Sequence, residues 1–423
     1  MEKPDELFPG LDSIEKKGLL RKRSAARASM WGALALALVP AFCLAVPMYV
    51  IRPFRPQDPS QLAAALTVRN LGPWISAIAA IAVIVLAIRV WRRSRSLWIR
   101  GTAATLTLVT VAGACLTNVN IFEIMFHPYT SPAFGSVESA QVEADDKVLS
   151  VTIDGQSHAY PIRTMGYHHI VNDTIGNTYI AVTYCTLCHT GLVWNRLFQG
   201  RVLHFRLAGI NNGNALMRDE ETSSIWQQST GQAIFGPLKG QQLGLIHSDE
   251  LTFALWRGEQ PHGLVLKPDA PYAAKYEDKD WEKHVEKTRT VVNTRSSGIE
   301  PHELMLGVIA GGQEKAYPVK TILAAKLIQD RISATPILIM VGQDRASIRV
   351  FKASDSSMTF IPASENTPAG GIVRDAATGS LWNFEGCAID GQLKNQCLKP
   401  MDANKDYWFD WMNHHPKTLV FRS

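Results

Sequence analysis

Charge is the scarcest material in this chain of 423 residues. Asp, Glu, Lys and Arg make up 19% of it, against the ~25% usual in soluble domains. The shortage is concentrated. Residues 30–51, 70–88 and 101–122 carry no charge at all, over 22, 19 and 22 positions. Lysine and arginine are missing altogether from residues 101–146. Cysteine is sparse too, and six in this length exclude a small disulfide-stapled scaffold. No G-x-S-x-G elbow, phosphate loop or zinc-protease helix motif occurs. The apolar share of 46% excludes a disordered chain, which lacks core-forming residues.

The charge that is present is unevenly placed. The formal net charge is +5, but residues 1–118 hold 15 Lys and Arg against 6 Asp and Glu, and the rest holds 28 against 32. A +9 block therefore precedes a −4 block, and the mild basicity implies no nucleic-acid partner. Each charge-free run is long enough to cross the ~30 Å hydrocarbon core as a helix of about 20 residues. Three transmembrane helices are predicted, at about 30–51, 70–88 and 101–122, forming an anchor over residues 29–122. Thr102, Thr105, Thr107 and Thr110 make the third the least apolar. Seven Lys and Arg sit in the tail, residues 1–28, and five between the second and third runs. The first loop has only Arg52, Arg55 and Arg69. Positive residues favour the cytoplasmic side. The expected location is the inner (cytoplasmic) membrane, with the N-terminus in the cytoplasm and the C-terminal domain periplasmic or extracellular.

The remainder repeats itself. Ala159-Tyr160-Pro161-Ile162 returns as Ala316-Tyr317-Pro318-Val319. Arg218-Asp219, Thr222 and Trp226 return as Arg374-Asp375, Thr378 and Trp382. Trp256, Pro261 and Val265 return as Trp411, Pro416 and Val420. The offset drifts only from 157 to 155. Such self-similarity predicts two homologous repeats, residues 143–266 and a degenerate copy at 303–422. Residues 267–302 form a charge-dense connector, and its Tyr272, Tyr276 and Trp281 predict that it is ordered. Short alternating runs with turn signals such as Asp154-Gly155 predict strands. Short helices are expected over 164–171, 252–259 and 407–414. The fold class is α+β, mainly β.

Chemistry concentrates at Tyr184-Cys185-Thr186-Leu187-Cys188-His189, expected to be a turn between two strands. A Cys-x-x-Cys turn presents two sulfurs to one metal ion or to each other. The aligned stretch of the second repeat, Val341-Gly342-Gln343-Asp344-Arg345, has no cysteine. Soft thiolates with an imidazole suit copper or zinc. His168 is the preferred nitrogen ligand, with His169, His189 and His204 as weaker candidates. Thiol–disulfide exchange by Cys185 and Cys188 is the redox alternative. Cys185 to His189 also matches the covalent haem pattern C-x-x-C-H, in surroundings that look too β-rich for it. Asn172 and Asp173 either make a turn or hydrogen-bond to the ligand residues. Arg218, Asp219, Trp226 and Trp382 recur in both halves and so look structural, as an ion pair with a buried indole. Cys387 and Cys397 flank a hairpin turn and are expected to form a disulfide. Cys43 and Cys115 fall in the predicted spans as packing residues.

On these residues the chain resembles the prokaryotic domain of unknown function 3179 family over about residues 145–421. The resemblance rests on Ala159-Tyr160-Pro161, on His168 with Ile170-Val171-Asn172-Asp173, on Val182-Thr183-Tyr184-Cys185 with Leu187-Cys188, and on Trp226 with Gly231. The sequence departs from the family's usual pattern at Thr186, where Pro is usual, and at His169, where Glu is usual. The position of His189 is variable in the family, which makes the haem pattern accidental. The family's knuckle looks like a metal-binding turn, and membership implies no established reaction. The expectation is a membrane-anchored extracytoplasmic protein binding a transition metal through Cys185, Cys188 and His168. The alternatives are the thiol–disulfide oxidoreductase and a non-catalytic domain with a structural disulfide. The bilayer is the one partner implied, and whether the protein is an enzyme stays open.

Overall fold

The computed structural model describes residues 13–129, 131–292, 294, 298–353, 358–363 and 370–422. The first twelve residues of the basic tail, Lys3 among them, lie outside these. The chain divides into two compact units. One comprises residues 1–52 with 57–121, the other residues 53–56 with 122–423.

The first unit is helical: α1 (Ser13–Val50), α2 (Pro59–Arg93) and α3 (Leu97–Leu116). Within them Ser24–Val50, Pro59–Arg93 and Leu97–Leu116 are long and apolar enough to cross a membrane. The third begins and ends earlier than its charge-free run. Thr117 and Asn118 stop it by turning their side chains back onto Ala114 O, at 2.7 and 3.1 Å. Its threonines are compatible with lipid because each hydroxyl is satisfied within the helix. Thr102, Thr105, Thr107 and Thr110 donate to carbonyls four residues back at 2.6–3.1 Å. Small residues let the helices close on one another. A Cβ on Gly113 would lie 2.9 Å from Pro40 Cβ, and one on Gly72 3.2 Å from Cys43 Cβ. Trp31, Phe42, Ile78 and Leu108 face outward, and so does Cys115, whereas Cys43 is buried.

The second unit is built from short strands. In its first half, β1 (Lys147–Ile153) and β2 (Gln156–Pro161) form a hairpin, with Val148 opposite Pro161 and Ile153 opposite Gln156. Its turn is Asp154-Gly155, with φ of 49° and 78°, the backbone that a two-residue primed turn demands. Helix α4 (Ile162–His168) follows, shorter than expected because His169 takes φ 59° and ends it. Residues 170–171 belong instead to β3 (Ile170–Ile175), which pairs with β4 (Thr178–Cys185) and, through it, β5 (Thr190–Asn195). A third sheet holds β6 (Phe205–Asn211) and β7 (Asn214–Asp219). Helix α5 (Phe253–Glu259) follows the strand Asp249–Thr252. In the connector lies α6 (Trp281–Val285).

The second half follows the same succession. It runs through β8 (Leu304–Ala310), β9 (Gln313–Pro318), α7 (Val319–Ala325), β10 (Leu327–Ile332) and β11 (Thr335–Val341) to β12 (Ala403–Tyr407) and α8 (Trp408–His414). Sheet orders agree as well. The strand before α5 lies beside β1, then β2, then a parallel strand Leu264–Leu266. Likewise β12 lies beside β8, then β9, then a parallel Leu419–Val420.

The largest apolar cluster is the core of the first half. It contains Tyr160, Tyr184, Trp226 and both Cys185 and Cys188. Trp281 and Val285 join it from the connector, and Tyr407 and Phe409 from the second half. Each fully buried side chain of this size contributes roughly 1.5–3 kcal/mol relative to exposure. Apolar burial therefore holds the described part of the connector around α6. The disulfide Cys387–Cys397 forms, across an antiparallel bridge.

A buried thiol site completed by the second half

Cys185 ends β4 directly opposite Thr190 at the start of β5. The Cys-x-x-Cys stretch is thus a hairpin turn, closed by His189 N donating to Thr186 O at 3.3 Å. Both thiols are free, with Cys185 3% and Cys188 0% exposed. Cys185 Sγ donates toward Gly213 O at 3.6 Å, and Cys188 Sγ toward Cys185 O at 3.7 Å.

The second half completes this site. Tyr407 N donates to Cys188 O at 2.9 Å, so the end of β12 and the start of α8 lie against the turn. Asp406 and Asp410 are thereby buried beside the thiols, 2% and 0% exposed. Asn214 Nδ2 lies 3.2 Å from Cys188 Sγ, 3.0 Å from Asp410 Oδ2 and 2.9 Å from Gln228 Oε1. Its two hydrogens serve two of those three at a time. Thr190 Oγ1 is 3.4 Å from Asp410 Oδ2 and His414 Nε2 is 3.4 Å from Asp410 Oδ1. Among the described residues, Oδ1 of Asp406 and Oδ1 of Asp410 have no hydrogen-bond partner. Burial, the hydrogen bond with Cys185 and the carboxylates of Asp410 and Asp406 push the Cys188 thiol well above its usual range. Burial and the charge of Asp410 do the same to Asp406. Both shifts favour the protonated forms of Cys188 and Asp406.

The matching place in the second half is saturated. There the strand before α5 meets the turn after β11. Thr252 N donates to Ser347 Oγ at 3.0 Å, and Thr252 Oγ1 to Asp344 Oδ2 at 2.7 Å. Asp344 Oδ1 takes Ala346 N and Ser347 N at 3.2 and 3.1 Å. Each half thus lays the start of its own helix on the other half's hairpin turn.

A charged chain flanks the thiol turn. His189 Nε2 and Lys147 Nζ both reach Glu282 Oε1 at 2.6 Å. Tyr184 OH is 3.2 Å from His189 Nδ1 and 3.4 Å from Glu250 Oε2, and Lys405 Nζ is 3.0 Å from Glu250 Oε1. Burial alone would raise the Glu282 carboxyl, but its bonds to His189 and Lys147 outweigh that and hold it far below the carboxylate range.

The other expected site residues lie elsewhere. His168 Nδ1 is 2.6 Å from His127 O and its Nε2 3.1 Å from Tyr276 OH, so both ring nitrogens are engaged away from the sulfurs. His169 Nδ1 bonds Tyr184 O at 2.9 Å, and burial pushes its imidazole down to about 4. His204 pairs with Glu221 at 2.7 Å. Among the described residues, no three of His, Cys, Asp and Glu stand together as a ligand set for a metal. Asn172 makes no turn: from inside β3 it bonds Phe205 O and Phe205 N at 2.9 and 3.0 Å. Asp173 takes His158 Nδ1 at 2.8 Å and Tyr160 OH at 2.6 Å. Asp219 is held by Trp226 Nε1 at 2.8 Å and Thr222 Oγ1 at 2.9 Å, and Trp382 repeats this on Asp375 at 3.2 Å. Both indoles are buried. Arg218 reaches Ser223 Oγ, at 2.8 Å, in place of the expected ion pair with Asp219.

Asp406, Asp410, Asn214 and Glu282 were not legible as site residues in the sequence. A signal existed for two of them. At the repeat offset of 155, Asp406 and Asp410 stand where the first half has Leu251 and Leu255. A carboxylate at a position where the other half carries an apolar residue is a buried charge that needs a reason.

Searches of curated proteins and of solved structures find no match to this chain. The family described as "Protein of unknown function (DUF3179)" matches residues 127–418, a stretch that holds the thiol turn, the connector and both carboxylates. With more than half of its length covered by that match, the chain belongs to the DUF3179 family.

Proposed function

We propose that this is a membrane-anchored dithiol–disulfide redox protein that uses Cys185 and Cys188. The observation that carries this is the burial of two free thiols against Asp406 and Asp410, whose Oδ1 atoms lack hydrogen-bond partners. Exchange requires a thiolate to form and the departing thiolate to take a proton. Buried thiols need a local carboxyl for both. Cys185, the less buried, is the attacking group. Its sulfur attacks one sulfur of a substrate disulfide, giving a mixed disulfide and a substrate thiolate. Cys188 then attacks Cys185 Sγ, forming the Cys185–Cys188 disulfide and releasing the second substrate thiolate. Two electrons pass to the substrate, and the two thiol protons reach its sulfurs through Asp406 and Asp410.

A second reading keeps the sulfurs as ligands of a soft ion such as copper or zinc. The carboxylate oxygens of Asp406 and Asp410 that carry no hydrogen bond favour it, with these two residues in the place expected of His168. It requires those carboxylates to swing onto the ion, since the side chains do not stand as a ligand set. We further infer that the two halves descend from one duplicated unit, supported by the common sheet order and the steady offset. The arginine distribution supports an N-terminus in the cytoplasm and the β-rich unit outside it.

One experiment separates the readings. The full chain is purified in detergent, its metal content measured, and its thiols titrated after equilibration with glutathione buffers of graded potential. A two-electron transition confined to Cys185 and Cys188, lost in Cys188→Ser, supports the redox reading. Stoichiometric metal that vanishes in Cys185→Ser supports the second. Thiols that neither oxidise nor hold metal refute both.

A further inference from the structure

The thiols are shut away, yet any reaction at them needs access. We infer that the connector segment 281–291 is a latched cover over the Cys185–Cys188 turn, and that its release admits the substrate disulfide. This rests on the redox reading for what is admitted, though not for the cover itself.

Three observations identify the cover. Trp281 and Val285 of α6 are buried in the same apolar cluster as both cysteines, and Val292 packs against it. Farther along, Thr288, Arg289, Thr290 and Val291 wall a small cleft whose other side includes Leu187 of the turn and Gly213, the residue whose carbonyl holds Cys185 Sγ. Most other neighbours of the turn are β4, β5, β7, and β12 with α8, each part of a sheet or following directly from one; Glu277, earlier in the connector, lies 3.5 Å from Thr186 Oγ1, and Pro53 and Phe54 line the same cleft. Segment 281–291 has no strand pairing, and α6 is five residues long. An isolated helix of that length has no stability of its own.

What holds the cover is therefore side chains. Glu282 is its polar latch, joining His189 of the turn and Lys147 of β1 through one carboxylate oxygen, at 2.6 Å each. The Glu282 side chain is 33% exposed, so opening the latch returns it to water and leaves no charge stranded within α6. Trp281 is the apolar latch, 5.3 Å from the His189 ring and 6.2 Å from the Tyr184 ring between centroids. Lys279, farther back, ties the connector to Glu143 and Asp145 at 2.7 and 3.0 Å on the surface. Elements with few sheet bonds and few anchors are those that open locally below the global unfolding free energy.

The test is the rate at which N-ethylmaleimide modifies Cys185 in the full chain in detergent, read by mass spectrometry of that peptide. Amide hydrogen exchange is followed in the same samples. Removing two charge-assisted hydrogen bonds in Glu282→Ala raises the open population, and with it the modification rate, roughly tenfold to a hundredfold. Trp281→Ala acts in the same direction. Lys320→Ala, which breaks a surface pair with Glu303, leaves the rate unchanged. Exchange rises over residues 281–291 and not over β11. Equal modification rates in the wild type, Glu282→Ala and Trp281→Ala overturn the cover, as does exchange that rises equally throughout the unit. If Cys185 reacts with maleimide in Glu282→Ala while glutathione disulfide leaves the pair reduced, the cover stands and the redox reading falls.

Discussion

Asn214→Ala tests whether the thiol site is held as described. The Asn214 side chain is fully buried. Besides its three acceptors, its Oδ1 takes Gln227 Nε2 at 2.6 Å and Ser229 N at 3.1 Å. Truncation to alanine leaves the Gln227 amide and the Ser229 N–H without that acceptor. It also leaves Asp410 Oδ2 with Thr190 alone. Each buried group deprived of its partner costs about 1–3 kcal/mol. Water entering the small polar void recovers part of this, and we expect a net loss of about 3 kcal/mol. A loss of that size lowers Tm by roughly 5 °C in a unit of this size. The assay is thermal and urea unfolding of the full chain in detergent, followed by tryptophan fluorescence. Asn214→Asp sharpens it. The new carboxylate sits beside Asp410 and Cys188, so its folded-state pKa lies above the unfolded value. The variant is then closest to wild type below about pH 4, the unfolded value, and loses stability as pH rises from there to its folded value. A Tm for Asn214→Ala within a degree of wild type would refute this hydrogen-bond arrangement.

Further outcomes are expected elsewhere. His169 is held neutral, at about 4 against about 6.5 unfolded, so its contribution is present above pH 6.5 and lost as pH falls toward 4. Between pH 7.5 and 5 it accounts for about 2 kcal/mol of lost stability. His169→Asn, which tolerates left-handed backbone, should flatten the urea-midpoint profile by that amount. The Cys387–Cys397 disulfide closes a loop of sequence separation 10. Double replacement by serine should cost roughly 3 kcal/mol on the chain-entropy scale, seen as a matching drop in urea midpoint. A Cβ on Gly307 would come 2.0 Å from the Trp411 ring. Gly307→Ala should therefore destabilise by about 1–3 kcal/mol and change the Trp411 near-ultraviolet circular dichroism.

Much of the architecture was legible because its signals are short-range. Three charge-free runs mark three helices, since a stretch that lipid must solvate advertises itself by composition alone. The Asp154-Gly155 hairpin was legible because the turn needs positive φ at both positions. The Cys387–Cys397 pairing was legible because the two residues flank one hairpin. The end of α4 was not. His169 reads as one more helical residue, yet it takes φ 59° where the chain leaves α4 for β3, as Lys326 takes φ 62° between α7 and β10, a bend set by where the next strand must pair. Asn172 and Asp173 look like turn residues in isolation. In the structure their side chains stitch β3 to Phe205 on one side and to His158 and Tyr160 on the other.

The site divides along the same line. That Cys185 and Cys188 share a turn between two strands was determined by the sequence, because three residues of chain hold them together. That His168 turns away to His127 and Tyr276, and that Asp406 and Asp410 take its place beside the sulfurs, was decided only by tertiary structure. Over two hundred residues separate Cys188 from Asp406, and no local preference spans that distance. Their meeting follows from how the two halves pack, each laying the start of a helix on the other's turn, which depends on the shape of both surfaces at once.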